Sequence, residues 1–107
     1  MPATSRFKNA ENDALFEAML ALRDLDEAYA FFEDLLTIKE LKDISQRWQV
    51  ARLLSEKKTY SEIAAMTKAS AATISRVNKC LEYGAGGYTL MLERSKKCPL
   101  ADPEEVS

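Results

Sequence analysis

Residues 59–81 read "TYSEIAAMTKASAATISRVNKCL", and their reading decides the fold. "TYSE" at 59–62 is a capping box. The Thr59 hydroxyl can accept from the Glu62 backbone N–H while the Glu62 side chain accepts from the Thr59 N–H. This predicts a short helix over about 60–66. Ser70 is the next cap candidate, because its hydroxyl can satisfy an orphan N–H of a following helix. That helix runs to about Leu81, with Gly84 beyond it as a C-terminal cap residue. Two short helices joined by three or four residues make a helix-turn-helix over about 60–81. Ile63 and Ile74 then pack across the corner, Val77 continues the inner face, and Ala64 is small where the helices approach. Lys68 falls where a positive φ is wanted, at a cost of about 1 kcal/mol for a side chain there.

With Ile74 and Val77 turned inward, Ser70, Ala71, Ala72, Ser75, Arg76 and Lys79 face outward. In this motif the start of the second helix enters the major groove of DNA. Lys57, Lys58, Lys68 and Lys79, with the helix start at Ser70, are expected to hold phosphates. Ala71, Ala72 and Thr73 form the expected reading tip. Alanine offers a methyl to thymine and no hydrogen bond, so reading leans also on water and DNA shape. The alternative is a solvated face on a helical protein–protein interaction module.

The rest of the chain also reads as helix. Leu15, Ala18, Met19 and Leu22 recur at helical spacing and place a first helix at about 10–22. Leu25, Ala28, Tyr29, Phe32, Leu35 and Leu36 stripe a second, at about 25–36. "TIKE" at 37–40 is another capping box, opening a third helix with Leu41, Ile44, Trp48, Ala51 and Leu54 on one side and Val50 and Leu53 widening the stripe. After Gly86 and Gly87, "YTLMLERSKK" reads as a sixth helix, which Pro99 closes. Residues 1–9 read as a flexible arm, 10–97 as one helical domain, and 98–107 as a disordered tail. The fold class is all-α.

Composition narrows the function. The 107 residues carry a net charge of −2 and no histidine. Without histidine the commonest general base and transition-metal ligand are missing. No glycine-rich phosphate loop or nucleophile elbow appears, so no enzyme and no metal site is expected. No run nears the roughly 18 apolar residues of a membrane span, and no stretch resembles a signal peptide, so the expected location is cytoplasmic. Cys80 and Cys98 read as free thiols. Charge is unevenly placed. Residues 11–34 hold eight acidic residues against Arg23, whereas 57–79 hold Lys57, Lys58, Lys68, Arg76 and Lys79 against Glu62. Acidic helices would lie away from DNA, and the basic segment on it.

The stretch "LLTIKELKDISQRWQVARLLSEKKTYSEIAAMTKASAATISRVNKCLEYGAGGY" resembles the core of the tryptophan repressor family, and more closely its TrpR-related YerC/YecD group. The carrying residues are the "LT" before the third helix, one arginine within it, and "ATISR" in the second motif helix; the similarity spans roughly 30–95. The resemblance implies a six-helix, Trp-repressor-like fold that forms an intertwined homodimer. It implies a regulator, expected to be a repressor, on a palindromic double-stranded DNA operator. It also implies a candidate effector pocket at Thr37 from the other chain, Arg47, Arg76, Val77 and Cys80. Two departures stand in that pocket: Val77 replaces a glycine that gives an indole room, and Cys80 replaces a serine that receives the ligand's amino group. A valine fills such space and a thiol is a weaker hydrogen-bonding partner. The expectation is a regulator without cofactor that does not respond to tryptophan; the alternative is one that uses L-tryptophan or another small effector.

Overall fold

Caps set the helix boundaries in the computed structural model, which describes residues 5–97. Helix α1 (Ala10–Leu20) starts at Asn9, whose side chain accepts from the Asn12 N–H at 2.7 Å. Helix α2 (Leu25–Leu35) starts at Asp24, which accepts from the Glu27 N–H at 2.9 Å. Helix α3 (Ile38–Ser55) follows the Thr37 box: the Glu40 N–H donates to the Thr37 hydroxyl at 3.1 Å, and the Thr37 N–H to the Glu40 carboxylate at 2.8 Å. Helices α4 (Tyr60–Thr67), α5 (Ala71–Tyr83) and α6 (Gly87–Lys97) complete the order. Among the described residues there is no strand.

The chain divides into two compact units between Asp43 and Ile44. In the first, neither α1 nor α2 contains a buried residue. Phe16, Leu20, Leu25, Tyr29 and Leu35 are all exposed, Leu20 by 84%. Each of these helices has 11 residues, shorter than the ~12–15 at which even alanine-rich helices become marginal in water. The described part of the segment before α1 is tied to it. The Asn12 side chain donates to the Phe7 carbonyl, and Lys8 pairs with Asp13 at 2.6 Å. Residues 98–107, expected as a tail, lie outside the described residues, and Cys98 with them.

The second unit has a core of Val50, Ala51, Leu53, Ile63, Ala69, Ile74 and Val77, with Trp48, Leu54, Ala64, Leu81 and Tyr88 packed against it. This corrects the stripe expected on α3. Val50 and Leu53, read there as flanking residues, are buried, while Ile44 is 48% exposed and Trp48 and Leu54 are half-buried. The helical period was right but its centre lay one residue off, because α4 and α5 pack against the far end of α3. α4 packs on α5, and α5 on α6.

Two turns that end helices are closed by lysine instead of glycine. Lys57 has φ +68 and Lys68 φ +64. After α3, the Lys58 N–H reaches the Leu53 carbonyl at 3.1 Å and the Lys57 N–H the Leu54 carbonyl at 3.0 Å, a Schellman closure. After α4, the Lys68 N–H bonds the Ala64 carbonyl at 2.9 Å. Gly84 sits at the C-cap of α5 as expected, for a different reason. Its φ is −82, and a Cβ there would collide with the Cys80 carbonyl oxygen.

Candidate nucleic-acid interface

The interface is built on the corner between α4 and α5. Ile63 and Ile74 are fully buried and Val77 is 1% exposed. Burying branched side chains of this size stabilises by about 1.5–3 kcal/mol each, which holds the two short helices at a fixed angle. The Thr59–Glu62 box is closed in both directions, at 2.8 and 3.1 Å. The Thr59 backbone N–H, then its hydroxyl, hold the Glu62 carboxyl below the ordinary carboxylate range; Lys58 adds to this and a little burial opposes it. The turn itself is pinned three ways. The Thr67 hydroxyl donates to the Ile63 carbonyl at 2.8 Å and accepts from the Ala69 N–H at 3.1 Å, and the Gln46 side chain donates to the Thr67 carbonyl at 3.1 Å.

Outside this core, Lys57, Lys58, Lys68, Ser70, Ala71, Ala72, Ser75, Arg76 and Lys79 are all exposed. None of the five cations is in an ion pair among the described residues. The acidic residue of this segment, Glu62, is already committed to its cap. Thr73, also expected at the reading tip, differs from the two alanines in its surroundings. It is half-buried, its N–H donates to the Ser70 hydroxyl at 3.1 Å, and its own oxygen accepts from that hydroxyl at 3.1 Å.

The residues expected around a small effector differ in exposure. Val77 lies in the core, Arg47 and Arg76 are exposed, and the Thr37 hydroxyl is used in the α3 cap. Cys80 does line an open groove of about 450 Å³ with Trp48, Tyr88, Met91 and the 84–87 segment. Trp48 and Tyr88 stack there at 6.3 Å with their planes 19° apart. Burial pushes the Tyr88 hydroxyl up, Cys80 adds to the shift, and Arg47 opposes it. The Trp48–Tyr88 pair was missed in the sequence because the two residues are 40 apart and belong to different stripes. The Gln46–Thr67 bond had no local signal at all, since a glutamine on a helix usually meets water.

Six helices with a buried isoleucine corner, a left-handed turn and an exposed, basic second helix define a helix-turn-helix protein. The sequence model of the family described as Trp repressor protein matches residues 10–96, and the chain belongs to this family. It is 48% identical over 92 residues to YerC of Bacillus subtilis (strain 168), a protein described as uncharacterized, covering 86% of this chain and 88% of that one. A crystal structure of a TrpR-like protein from Eubacterium eligens ATCC 27750 matches with a TM-score of 0.81 and 49% identity, over 91% of this chain and 98% of that one. The crystal structure of a proposed Trp repressor from Staphylococcus aureus matches with a TM-score of 0.82 and 42% identity, over 85% and 91%. Family and fold are those of DNA-binding regulators, not of enzymes. No helix among the described residues is long and apolar enough to cross a membrane, and none of their acidic or thiol groups cluster as a metal site.

Proposed function

We propose that this protein is a sequence-specific regulator of transcription, a repressor, that binds a pseudo-palindromic operator in double-stranded DNA as a homodimer. The observation that carries the reading is the α4–α5 corner. Its inner residues are fully buried, while Lys57, Lys58, Lys68, Arg76 and Lys79 along the same segment are exposed and in no ion pair among the described residues. Such a surface displaces counterions from phosphates, and the start of α5 supplies backbone N–H groups. The N-terminal unit supports the dimer: two short helices with exposed leucines and aromatics and no buried residue gain a core only against another surface. In a two-fold dimer the two α5 helices would meet successive major grooves about 34 Å apart.

The same reading gives no role to tryptophan. Val77 is packed among Val50, Ile63 and Ile74 in the core, so the space that an indole needs beside α5 is occupied.

Selection of bound duplexes from a random pool, followed by titration with the full chain, tests the proposal. The expected result is an enriched palindrome with half-sites one helical turn apart, and an affinity that falls steeply with salt. Arg76→Ala should weaken binding at least tenfold, roughly the 1.4 kcal/mol that one charge-assisted contact contributes. A pool that yields no enriched sequence would overturn the reading.

A further inference from the structure

We infer that Gln46 is a positioning residue for DNA reading: through its bond to the Thr67 carbonyl it sets the direction in which α5 leaves the turn, and with it the sequence-specific part of binding. The inference rests on the DNA-binding reading above and names a residue outside the helix-turn-helix on which the same surface depends.

One peptide group, between Thr67 and Lys68, is held at both ends. Its carbonyl accepts from the Gln46 side-chain amide at 3.1 Å, and its N–H donates to the Ala64 carbonyl at 2.9 Å. Gln46 lies on α3 and Ala64 on α4, so the plane of this peptide is fixed from two helices. The chain then turns at Lys68, with φ +64. A lysine disfavours that left-handed conformation and a glycine does not. A turn built on lysine therefore does not hold itself and needs support from outside. Two residues on, the Ser70 cap starts α5.

The core also ties α3 to the motif, through apolar packing. Val50, Ala51 and Leu53 share it with Ile63, Ala69, Ile74 and Val77. Such packing is non-directional, whereas a hydrogen bond constrains angle as well as distance. Reading base edges needs side chains held to within about 0.5 Å of their productive positions. Exposed lysines reach phosphates on flexible stems and tolerate more. Release of the Thr67 carbonyl should therefore erode recognition of a chosen sequence and spare the attraction to DNA in general.

The experiment compares the full chain with Gln46→Met, which keeps the length and helix propensity of the side chain but has no amide to donate. Affinities are measured for the duplex enriched from a random pool and for an unrelated duplex of equal length, well below the melting temperature of either protein. Affinity for the enriched duplex should fall about fivefold, the equivalent of one neutral hydrogen bond. Affinity for the unrelated duplex, and the slope of log affinity against log salt, should stay unchanged, because no phosphate contact is lost. Without DNA, amide exchange should quicken at Lys68 and Ala69 and stay the same at Leu53. Equal losses on both duplexes would make Gln46 a structural residue only and overturn this inference alone, as would an unchanged ratio of the two affinities. A pool with no enriched duplex overturns the DNA-binding reading and this inference with it.

Discussion

The side-chain amide of Gln46, on α3, donates to the main-chain carbonyl of Thr67, the last residue of α4, at 3.1 Å. It is a part-buried bond across 21 residues of sequence. The carbonyl belongs to the set that a helix end leaves without an intrahelical partner, and here a neighbouring helix supplies one. The bond fixes the turn of the helix-turn-helix to the long helix behind it. Gln46→Ala should therefore cost about 1 kcal/mol, a typical net value for such a bond. Thermal unfolding followed by circular dichroism reads this directly. A melting temperature unchanged within error would mean that water replaces the amide without loss.

Much of the fold was legible because its signals are local. The Thr37 and Thr59 boxes place two helix starts to the residue, since a capping box needs only four consecutive residues. Ile63, Ile74 and Val77 were identifiable as the inner face from their spacing alone. The centre of the α3 stripe was not. Val50 and Leu53 became core and Ile44 did not, and that choice depends on where α4 and α5 dock. Of the candidate site, the exposure of the lysines and of the two alanines that open α5 could be read from the pattern. The bond between Thr73 and Ser70 was not legible, because it depends on side-chain rotamers that spacing does not determine.

Lys68 combines strain with charge. It holds φ +64 at the end of α4 and is exposed. Lys68→Gly should relieve about 1 kcal/mol of left-handed strain and raise the melting temperature. If Lys68 neutralises a phosphate, the same change should weaken DNA binding and reduce the slope of log affinity against log salt by about one unit. Lys68→Ala keeps the strain and loses the charge, so it should weaken binding with no gain in stability. A Lys68→Gly protein that gains stability and keeps its salt slope would remove this lysine from the interface.

Acid should loosen the start of α4 through Glu62. Its folded carboxyl lies below the ordinary range, chiefly because the Thr59 N–H binds the charged form. A depressed carboxylate contributes stability above the unfolded-state pKa and loses it as pH falls through the folded one. The window opens near the unfolded-state pKa of about 4.3 and extends below it. Glu62→Gln retains an acceptor without the proton equilibrium, so its stability should vary less than wild type across that window. The comparison is one of urea midpoints at a series of pH values, and parallel curves would show that other carboxylates dominate.

Tryptophan should leave the protein unchanged. Val77 is 1% exposed within the core, and an indole could enter there only by displacing it. Isothermal titration with L-tryptophan should give no binding heat at millimolar ligand, and operator affinity should be the same with and without it. Val77→Ala removes two methyl-sized groups and should cost about 2 kcal/mol. Micromolar tryptophan binding by wild type would show that the ligand finds space elsewhere, with the Cys80 groove the first place to look.

Leu20 separates the single chain from the dimer. In one chain it is 84% exposed at the end of α1, and a polar replacement at such a position normally changes stability by less than about 0.5 kcal/mol. Leu20→Glu should then be silent if the protein is a monomer. If two chains share the exposed faces of α1 and α2, the substitution buries a carboxylate in an apolar interface, which is strongly unfavourable for an unpaired charge. That segment already holds eight acidic residues against Arg23, so a further carboxylate adds to an excess of like charge. The expected result by light scattering is a wild-type mass of two chains and a Leu20→Glu mass shifted toward one. DNA binding should weaken with it, because a lone helix-turn-helix meets only one half-site. Two chains in the mutant at wild-type stability would mean that the interface lies away from the end of α1.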